Sequence, residues 1–388
     1  MRVNLKKIVR KLHLWLGIPA GIVIFVVAIT GAVYAFRDEI EDMQRPSLAI
    51  RNTDNEILMS PLELKEIAED VIRKENPQGK SKVKEVTYQG IEHAAKLTTG
   101  GKKGDRIDVY LNPYSGKRIY TEQVKDGFFK FIIKGHRSLW LPRNIGKPVI
   151  GWSVVIFIIV TITGIVMWYP DMKNSKAVMA AFTIKKKAPY KRKILDYHNI
   201  LGFYTAIFAL IMAVTGLNWS FKKFGEAYYG LITGGKTYEG WNMPESKYNS
   251  DAPEYNADDL WTQIKDDYIM DEKCSLRISF PSDKTDSYAV AYNPDGNNKY
   301  YRRHMRFFDR YSLDELKGGG LFGIKYEDCS WGQKLYRMNY DLHTGRIAGI
   351  PGRIIAFLAC VIIASLPITG ILIFINKRFK KRRKSIGK

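Results

Sequence analysis

Six histidines occur among the 388 residues, and four of them stand at the margins of the chain's long apolar stretches. His13 and His198 open the first and third stretches, whereas His136 and His343 precede the second and fourth. A histidine in or beside a bilayer-spanning segment is costly without a partner, which makes each one a functional candidate. Two histidines facing each other across a helix bundle are a common means of holding a haem iron from both sides. The expected chemistry is therefore one-electron transfer, with His13 and His198 as an inner pair and His136 and His343 as an outer pair. For the outer pair an alternative stays open. Pro142, Pro148, Gly345, Gly349, Pro351 and Gly352 put those histidines on an extension or turn, where an imidazole also bonds backbone or lipid headgroups. His93 and His304 lie outside the apolar stretches and read as surface residues.

Other chemistries are limited by what the chain lacks. Three cysteines, Cys274, Cys329 and Cys360, exclude a disulfide-built scaffold, a zinc ribbon or a cysteine-held cluster. Cys274 and Cys329 could pair in an oxidising compartment, and Cys360 reads as a packing residue. Non-haem iron would want a carboxylate beside the histidines; the apolar stretches hold none, though Asp196 and Asp341 stand two residues before His198 and His343. No Walker loop and no glycine fingerprint between strand and helix is present, so no flavin or nicotinamide site is expected. The electron donor must then be a separate partner, cytoplasmic or in the membrane. Without a C-x-x-C-H attachment motif the haem would be b-type, about two per chain.

The elements that must position these histidines follow from hydropathy. Apolar, nearly uncharged runs cover 12–36, 149–169, 200–221 and 354–375, each about the 20 residues that cross a bilayer. The first is longer than a secretory apolar core and lacks an A-x-A exit, so it reads as a retained anchor. Lys and Arg number five in 1–11, eight in 171–193 and eight in 377–388, against the single acid Asp171, which accounts for +20 of the net +22. Such charge on the flanks of apolar helices marks the cytoplasmic side. It also accounts for the basic balance without nucleic acid as a partner. Both termini are then cytoplasmic, and 37–148 and 222–353 lie outside.

The two halves repeat. His-x-x-Leu-Gly followed by Thr-Gly seventeen residues after the His occurs at His13 with Thr30-Gly31 and at His198 with Thr215-Gly216. In the second and fourth runs His136 precedes Thr163-Gly164 by 27 residues, and His343 precedes Thr369-Gly370 by 26. On a helix of 3.6 residues per turn His13 shares a stripe with Gly17, Ala20, Gly21, Ala28 and Gly31, and His198 with Gly202, Thr205, Ala206, Ala209, Ala213 and Gly216. Small residues there leave room for a flat macrocycle, or let helices approach closely. Each outer segment reads as a small helix-plus-sheet domain. The first has a helix at 64–72, strands at 82–88 and 105–111 and a turn at 112–116; the second has a helix at 260–268, strands at 276–280 and 288–292 and a turn at 308–312. The glycine run 317–320 reads as a flexible loop or hinge.

These residues resemble the PepSY-associated transmembrane proteins, also called iron-regulated membrane proteins. The likeness rests on Lys11-Leu12-His13-Leu14-Trp15-Leu16-Gly17, Gly135-His136-Arg137-Ser138-Leu139, Tyr197-His198-Asn199-Ile200-Leu201-Gly202, Asp341-Leu342-His343-Thr344-Gly345 and the two outer turns. It spans essentially the whole chain. The resemblance implies a bacterial inner-membrane protein with a four-helix transmembrane bundle and two periplasmic α+β PepSY-like domains. Its parts would be helix one with a basic cytoplasmic start (1–36), outer domain one (37–148), helix two (149–169), a basic cytoplasmic loop together with the start of helix three (170–199), the apolar run of helix three (200–221), then outer domain two (222–353), helix four (354–376) and a basic tail (377–388). It also implies a dihaem reductase that releases iron from ferric siderophores, with His13, His198, His136 and His343 matching the family's membrane histidines. Reduction would release the iron because Fe(II) is held more weakly than Fe(III) by hard oxygen ligands. Two departures stand out: Leu313 replaces the glycine found at Gly116 after Tyr-Ser, and no catalytic domain is appended. Arg302, Arg303, Arg306, Tyr300, Tyr301 and Trp331 could receive an anionic iron complex, or simply form a solvated face. The alternative function is a membrane-anchored binding or regulatory module without redox activity. A transporter of iron complexes is disfavoured by four helices with no charge expected in their interiors.

Overall fold

The computed structural model describes residues 5–50, 57–75, 82–100, 106–124, 127–185, 187–253, 255–296 and 299–386. Met1 to Asn4, Lys186, Gly387 and Lys388 of the basic stretches, and Asp105, where a strand was expected to begin, lie outside the described residues. In chain order come helices α1 (Leu5–Tyr34), α2 (Arg37–Met43) and α3 (Pro61–Glu75), and strands β1 (Val83–Tyr88), β2 (Ala95–Thr99), β3 (Ile107–Leu111) and β4 (Arg118–Gln123). Next are α4 (Phe128–Ser138), α5 (Arg143–Trp168), α6 (Ser175–Phe182), α7 (Tyr190–Ser220) and α8 (Lys222–Thr233). The remainder holds α9 (Ala257–Ile264), β5 (Ser275–Ser279), β6 (Tyr288–Asn293), β7 (His304–Phe308), β8 (Glu315–Leu316), α10 (Trp331–Arg337), α11 (Asn339–Thr344) and α12 (Gly349–Ile386). The chain divides into two compact units, one of 1–37, 128–228 and 342–388 and one of 38–127 and 229–341.

The first unit contains α1, α5, α7 and α12, all long and apolar enough to cross a membrane. α1 packs on α5 and α12, and α7 packs on the same two helices. Their shared core is Ile24, Ala28, Ile150, Val154, Ala209, Ala213, Leu217, Ile363 and Ala364. The helices run past the apolar runs: α5 starts at Arg143 rather than 149, and α7 at Tyr190 rather than 200. Pro142 and Pro189 stand immediately before those starts, where a fixed φ favours helix initiation. Hydropathy alone could not see these polar first turns, and one consequence is that Asp196 lies inside a helix. The small-residue stripes serve close packing: a methyl added at Gly17 would sit 3.7 Å from Val160, one at Gly21 3.0 Å from Pro367, and one at Gly202 3.7 Å from Leu366.

The second unit is built on one antiparallel sheet of eight strands, ordered β4-β3-β2-β1-β5-β6-β7-β8. The two outer segments, expected as separate small domains, meet where β1 pairs with β5 through Glu85↔Ser279, Val86↔Ile278 and Tyr88↔Leu276. Apart, β1 and β5 would each leave a row of unpaired backbone groups at an edge; together they close both. The helices α3 and α9 pack on this sheet in one continuous core that includes Leu64, Ala68, Ile72, Leu260 and Ile264 with Val86, Leu97, Leu276, Ile278 and Val290. Asp258 of α9 ties the halves further by accepting from Ser60 Oγ (2.8 Å) and Leu62 N (2.9 Å) at the start of α3. β2, β4, β7 and β8 were not read from the sequence.

The turns repeat down to the backbone. Gly116 N donates to Asn112 O (3.0 Å) and Leu313 N to Asp309 O (2.9 Å), and both residues are left-handed, with φ of 68° and 58°. Leu313 therefore holds the conformation that glycine holds in the first copy, and its buried side chain joins the core. The glycine run is a packed loop and not a hinge: Gly319 and Gly320 are left-handed, and any side chain at Gly320 would strike the Gly240 carbonyl.

Candidate functional site

Each of the four membrane histidines is seated on a Thr-Gly pair of another helix. His13 on α1 faces α5, where Nδ1 lies 3.0 Å from Val160 O and 3.1 Å from Thr163 Oγ1. His136 on α4 faces α1, 2.9 Å from Val27 O and 3.4 Å from Thr30 Oγ1. His343 on α11 faces α7, 3.0 Å from Met212 O and 2.9 Å from Thr215 Oγ1. His198 on α7 faces α12, 2.9 Å from Thr369 Oγ1 and bonded to the Leu366 backbone. In every case the carbonyl belongs to the residue three before the threonine. The following glycine makes room for the ring: a methyl at Gly31, Gly164, Gly216 or Gly370 would stand 3.2, 3.2, 3.3 or 3.5 Å from the seated Cε1.

These seats assign the tautomer. Each threonine hydroxyl donates back along its own helix, Thr30 to Val26 O (2.7 Å), Thr163 to Ile159 O (2.9 Å), Thr215 to Ile211 O (2.6 Å) and Thr369 to Ser365 O (3.1 Å). Its oxygen can then only accept from the histidine, and the neighbouring carbonyl only accepts, so Nδ1 carries the proton. Nε2 is left with a free lone pair, the state in which an imidazole ligates a metal, and the bond at Nδ1 fixes its orientation and raises its basicity.

The histidines meet in the two expected pairs. His13 and His198 have ring centres 6.4 Å apart at 88°, and His136 and His343 have theirs 6.2 Å apart at 71°. Two imidazoles on opposite sides of one metal, each nitrogen about 2.0 Å from it, have ring centres roughly 6 Å apart. Among the described residues no three His, Cys, Asp or Glu side chains gather as a metal site. Each pair thus brings two imidazoles together, a set that would suit an iron whose other ligands come from a macrocycle. The outer pair lies level with residues 27–31 of α1, fourteen to eighteen residues beyond His13, or about 21–27 Å along the helix.

The outer histidines sit on short helices and not on an open turn. α4 ends in two consecutive left-handed residues, Leu139 (φ 52°) and Trp140 (φ 60°). That uncommon geometry folds the Trp140 ring over Gly135, where Nε1 bonds Phe131 O at 2.9 Å and holds the turn that carries His136. Trp219 stands edge-on to His343 at 5.1 Å. Cys360 lies beside the same site, with Sγ 3.9 Å from Met212 Sδ.

Residues singled out elsewhere take other roles. Asp341 accepts from the backbone of Tyr300 (2.9 Å) and Tyr301 (3.1 Å). The arginines considered for an anionic complex are largely spent: Arg302 pairs with Asp295 (2.9 Å) and Glu327 (3.2 Å), Arg306 with Asp267 (2.6 Å) and Glu315 (2.8 Å), and Arg303 stacks on Tyr300. Trp331 is exposed. His93 is exposed as expected, but His304 is half-buried and lines a cavity of about 610 Å³ with Asp267, Tyr268, Arg306 and Glu315; burial lowers its pKa. Cys274 and Cys329 are buried free thiols rather than a disulfide, one near Met270 Sδ (3.7 Å) and the other beside the guanidinium of Arg337 (3.5 Å).

The repeated seats and the four long helices extend over most of the chain, and so does a family match: the model of the PepSY-associated TM region covers residues 10–377. The chain belongs to that family. A comparison with curated proteins finds no match. As a PepSY-associated membrane protein it pairs four apolar helices with an antiparallel sheet unit. Sequence reasoning named its histidines and quoted its Thr-Gly pairs, but read the latter only as part of the repeat. Their presence in all four runs was the signal that each serves one histidine.

Proposed function

We propose that this protein is a dihaem electron carrier of the bacterial inner membrane that reduces ferric complexes, of the siderophore class, on the periplasmic side. His13 and His198 would hold one b-type haem, and His136 and His343 the other. The observation that carries this reading is the fourfold seat, which presents a free Nε2 from each histidine in pairs spaced for one metal. A bound haem supplies reversible one-electron Fe(III)/Fe(II) chemistry. The chain's own part is to hold four imidazoles in one tautomer, exclude water from them and separate the pairs along the membrane normal. The Lys/Arg-rich segments at one end support a cytoplasmic placement of the His13–His198 pair and of both termini. Electrons would then come from a cytoplasmic or membrane donor and leave outward, where reduction weakens the hold of hard oxygen ligands on iron. No arginine site is assigned to the ferric complex, because Arg302 and Arg306 are already paired with carboxylates.

The test is an absorption spectrum and haem quantitation on the detergent-purified full chain expressed with ample haem. About two low-spin haems per chain are expected, with His13→Ala or His198→Ala removing one and His136→Ala or His343→Ala the other. Haem near zero, or loss of both from one single substitution in a folded protein, overturns the reading. In liposomes the outer variants should stop oxidation by an external ferric chelate while dithionite still reduces the inner haem. The alternative, a binding module without redox activity, draws on the 610 Å³ cavity beside His304 and would be left standing by a haem-free protein.

A further inference from the structure

Asp196 is the seventh residue of α7, at the end of the bundle that carries the basic segments, and only 4% of its side chain is exposed. Arg192 Nε donates to Oδ1 at 2.8 Å. Oδ2 is buried and has no hydrogen-bond partner. An ion-paired carboxylate only accepts, and a buried acceptor left empty is destabilising. A donor from outside the chain would satisfy those lone pairs.

What lies along the same face says which kind of donor. Asp196, Ile200 and Phe203 follow at i, i+4 and i+7. Phe203 stacks on Trp168 with centroids 3.6 Å apart and planes at 14°, and Phe182 meets both edge-on at 5.7 and 5.0 Å. Tyr204 adjoins Phe203 at 5.6 Å and Phe182 at 6.4 Å. Phe182 and Tyr204 remain 40% and 55% exposed, and Tyr204 belongs to one of the helices long and apolar enough to cross a membrane. From Asp196 to Phe203 is about 10 Å along the axis, and residues at i and i+7 lie on one helix face. A hydroxylated ring with an apolar tail matches this order of acceptor, aromatic faces and lipid.

We propose that Asp196 and the Trp168–Phe182–Phe203–Tyr204 cluster form a binding site for a membrane-dissolved hydroquinone, whose ring hydroxyl donates to Asp196 Oδ2. The assignment of this molecule as electron donor rests on the proposed function, but its binding does not require haem. In that role the hydroquinone would become the quinone, giving one electron at a time to the haem chain for a total of two and releasing its two ring protons to water at the same end. Because the carboxylate cannot donate, the site prefers a ring bearing O–H over the same ring bearing only acceptors. A hydrogen bond to a charged acceptor sets that preference at about tenfold or more.

Redox-inert probes isolate this contact: 4-heptylphenol, which donates, and 4-heptylanisole, which cannot, are compared by equilibrium dialysis against the full chain in detergent. The phenol should bind about tenfold more tightly to the native protein. Asp196→Asn, whose amide both accepts and donates, should bring the two affinities close together, whereas Phe203→Leu should weaken both alike. Equal binding of both probes to the native protein, as when Oδ2 is met by water alone, overturns the proposal, and so does an undiminished preference in Asp196→Asn. Haem content read in the same samples separates failure of this site from failure of the haem reading.

Discussion

The glycines that receive the histidine rings offer a graded perturbation. Adding one methyl group at each position leaves the ligands in place and changes only the space for the ring. Carbon atoms pack best about 3.5–4.0 Å apart, so the methyl of Gly164→Ala or Gly31→Ala, at 3.2 Å from its imidazole, is too close by a few tenths of an ångström. Gly216→Ala is marginal at 3.3 Å, and Gly370→Ala falls in ordinary contact at 3.5 Å. Two effects then oppose each other. Alanine in a helix interior stabilises by about 1 kcal/mol relative to glycine, while overpacking costs about 1–3 kcal/mol. Global stability should thus change little, by at most about 1–2 kcal/mol in the tight variants, and should rise in Gly370→Ala.

The site responds differently, because a ring pushed back from its glycine must lengthen the bonds from Nδ1 to the carbonyl and the threonine. Loss of such an outer hydrogen bond costs a metal site about 10–100-fold in affinity. The assay is the haem-to-protein ratio, and the rate of haem loss to a scavenging protein, for the four single variants. Gly164→Ala should lower occupancy of the His13–His198 pair and Gly31→Ala that of the His136–His343 pair. Gly370→Ala, although it touches the same inner pair as Gly164→Ala, should stay near the native value. Equal losses in Gly164→Ala and Gly370→Ala, or none in Gly164→Ala with haem otherwise bound, would refute the idea that the glycines set ring position.

Thr163→Val keeps the shape of the His13 seat and removes one acceptor, so haem affinity at the inner pair should fall about tenfold with the outer pair untouched, read by difference spectra of the two sites. At the second outer turn, Leu313→Ala should lower the melting free energy by about 2–4 kcal/mol through lost core packing. Leu313→Gly should be no worse than alanine, because glycine relieves about 1 kcal/mol of left-handed strain; a markedly less stable glycine variant would show that φ of 58° carries no strain there. Burial alone would raise the Asp108 carboxyl, but Lys96 at 2.6 Å, Arg106 at 3.1 Å and Thr98 outweigh it and hold the pKa below the usual value. A lowered folded-state pKa gives stability that is complete above about pH 4 and is lost as pH falls through the folded value. Asp108→Asn should therefore cost about 1–3 kcal/mol at pH 7 and flatten the acid limb of the sheet's unfolding profile, measured by circular dichroism against pH.

The four long helices and the pairing of the histidines were legible because hydropathy and repetition are local signals. The starts of α5 and α7 were not, since polar first turns carry no hydropathy mark, and so the point within 170–199 where the third helix begins, before Asp196, stayed unread. The union of the outer segments was hidden for a different reason. Nothing in Val83 to Tyr88 or Ser275 to Ser279 distinguishes a strand that ends a sheet from one that joins two, and only the cost of two open edges favours the pairing seen. β7 alternates Met305 and Phe307 inward with His304 and Arg306 more open, a period-2 pattern that its charged residues obscured.

The Thr-Gly seats show how duplication and function fit together. Within the first half the seating is reciprocal: His13 rests on Thr163-Gly164, and His136 on Thr30-Gly31. The second half repeats this with His198 on Thr369-Gly370 and His343 on Thr215-Gly216. The ring pairs, however, cross between halves, His13 with His198 and His136 with His343. Each half can therefore set the tautomer and direction of its own two imidazoles, but it presents only one donor at each level of the membrane. Under the proposed function, two-sided ligation would need the second copy, and a symmetric pair of halves would supply it at both levels at once. On that proposal the requirement would give a physical reason for the duplication and for the recurrence of the motif in all four membrane helices, each copy serving a different histidine.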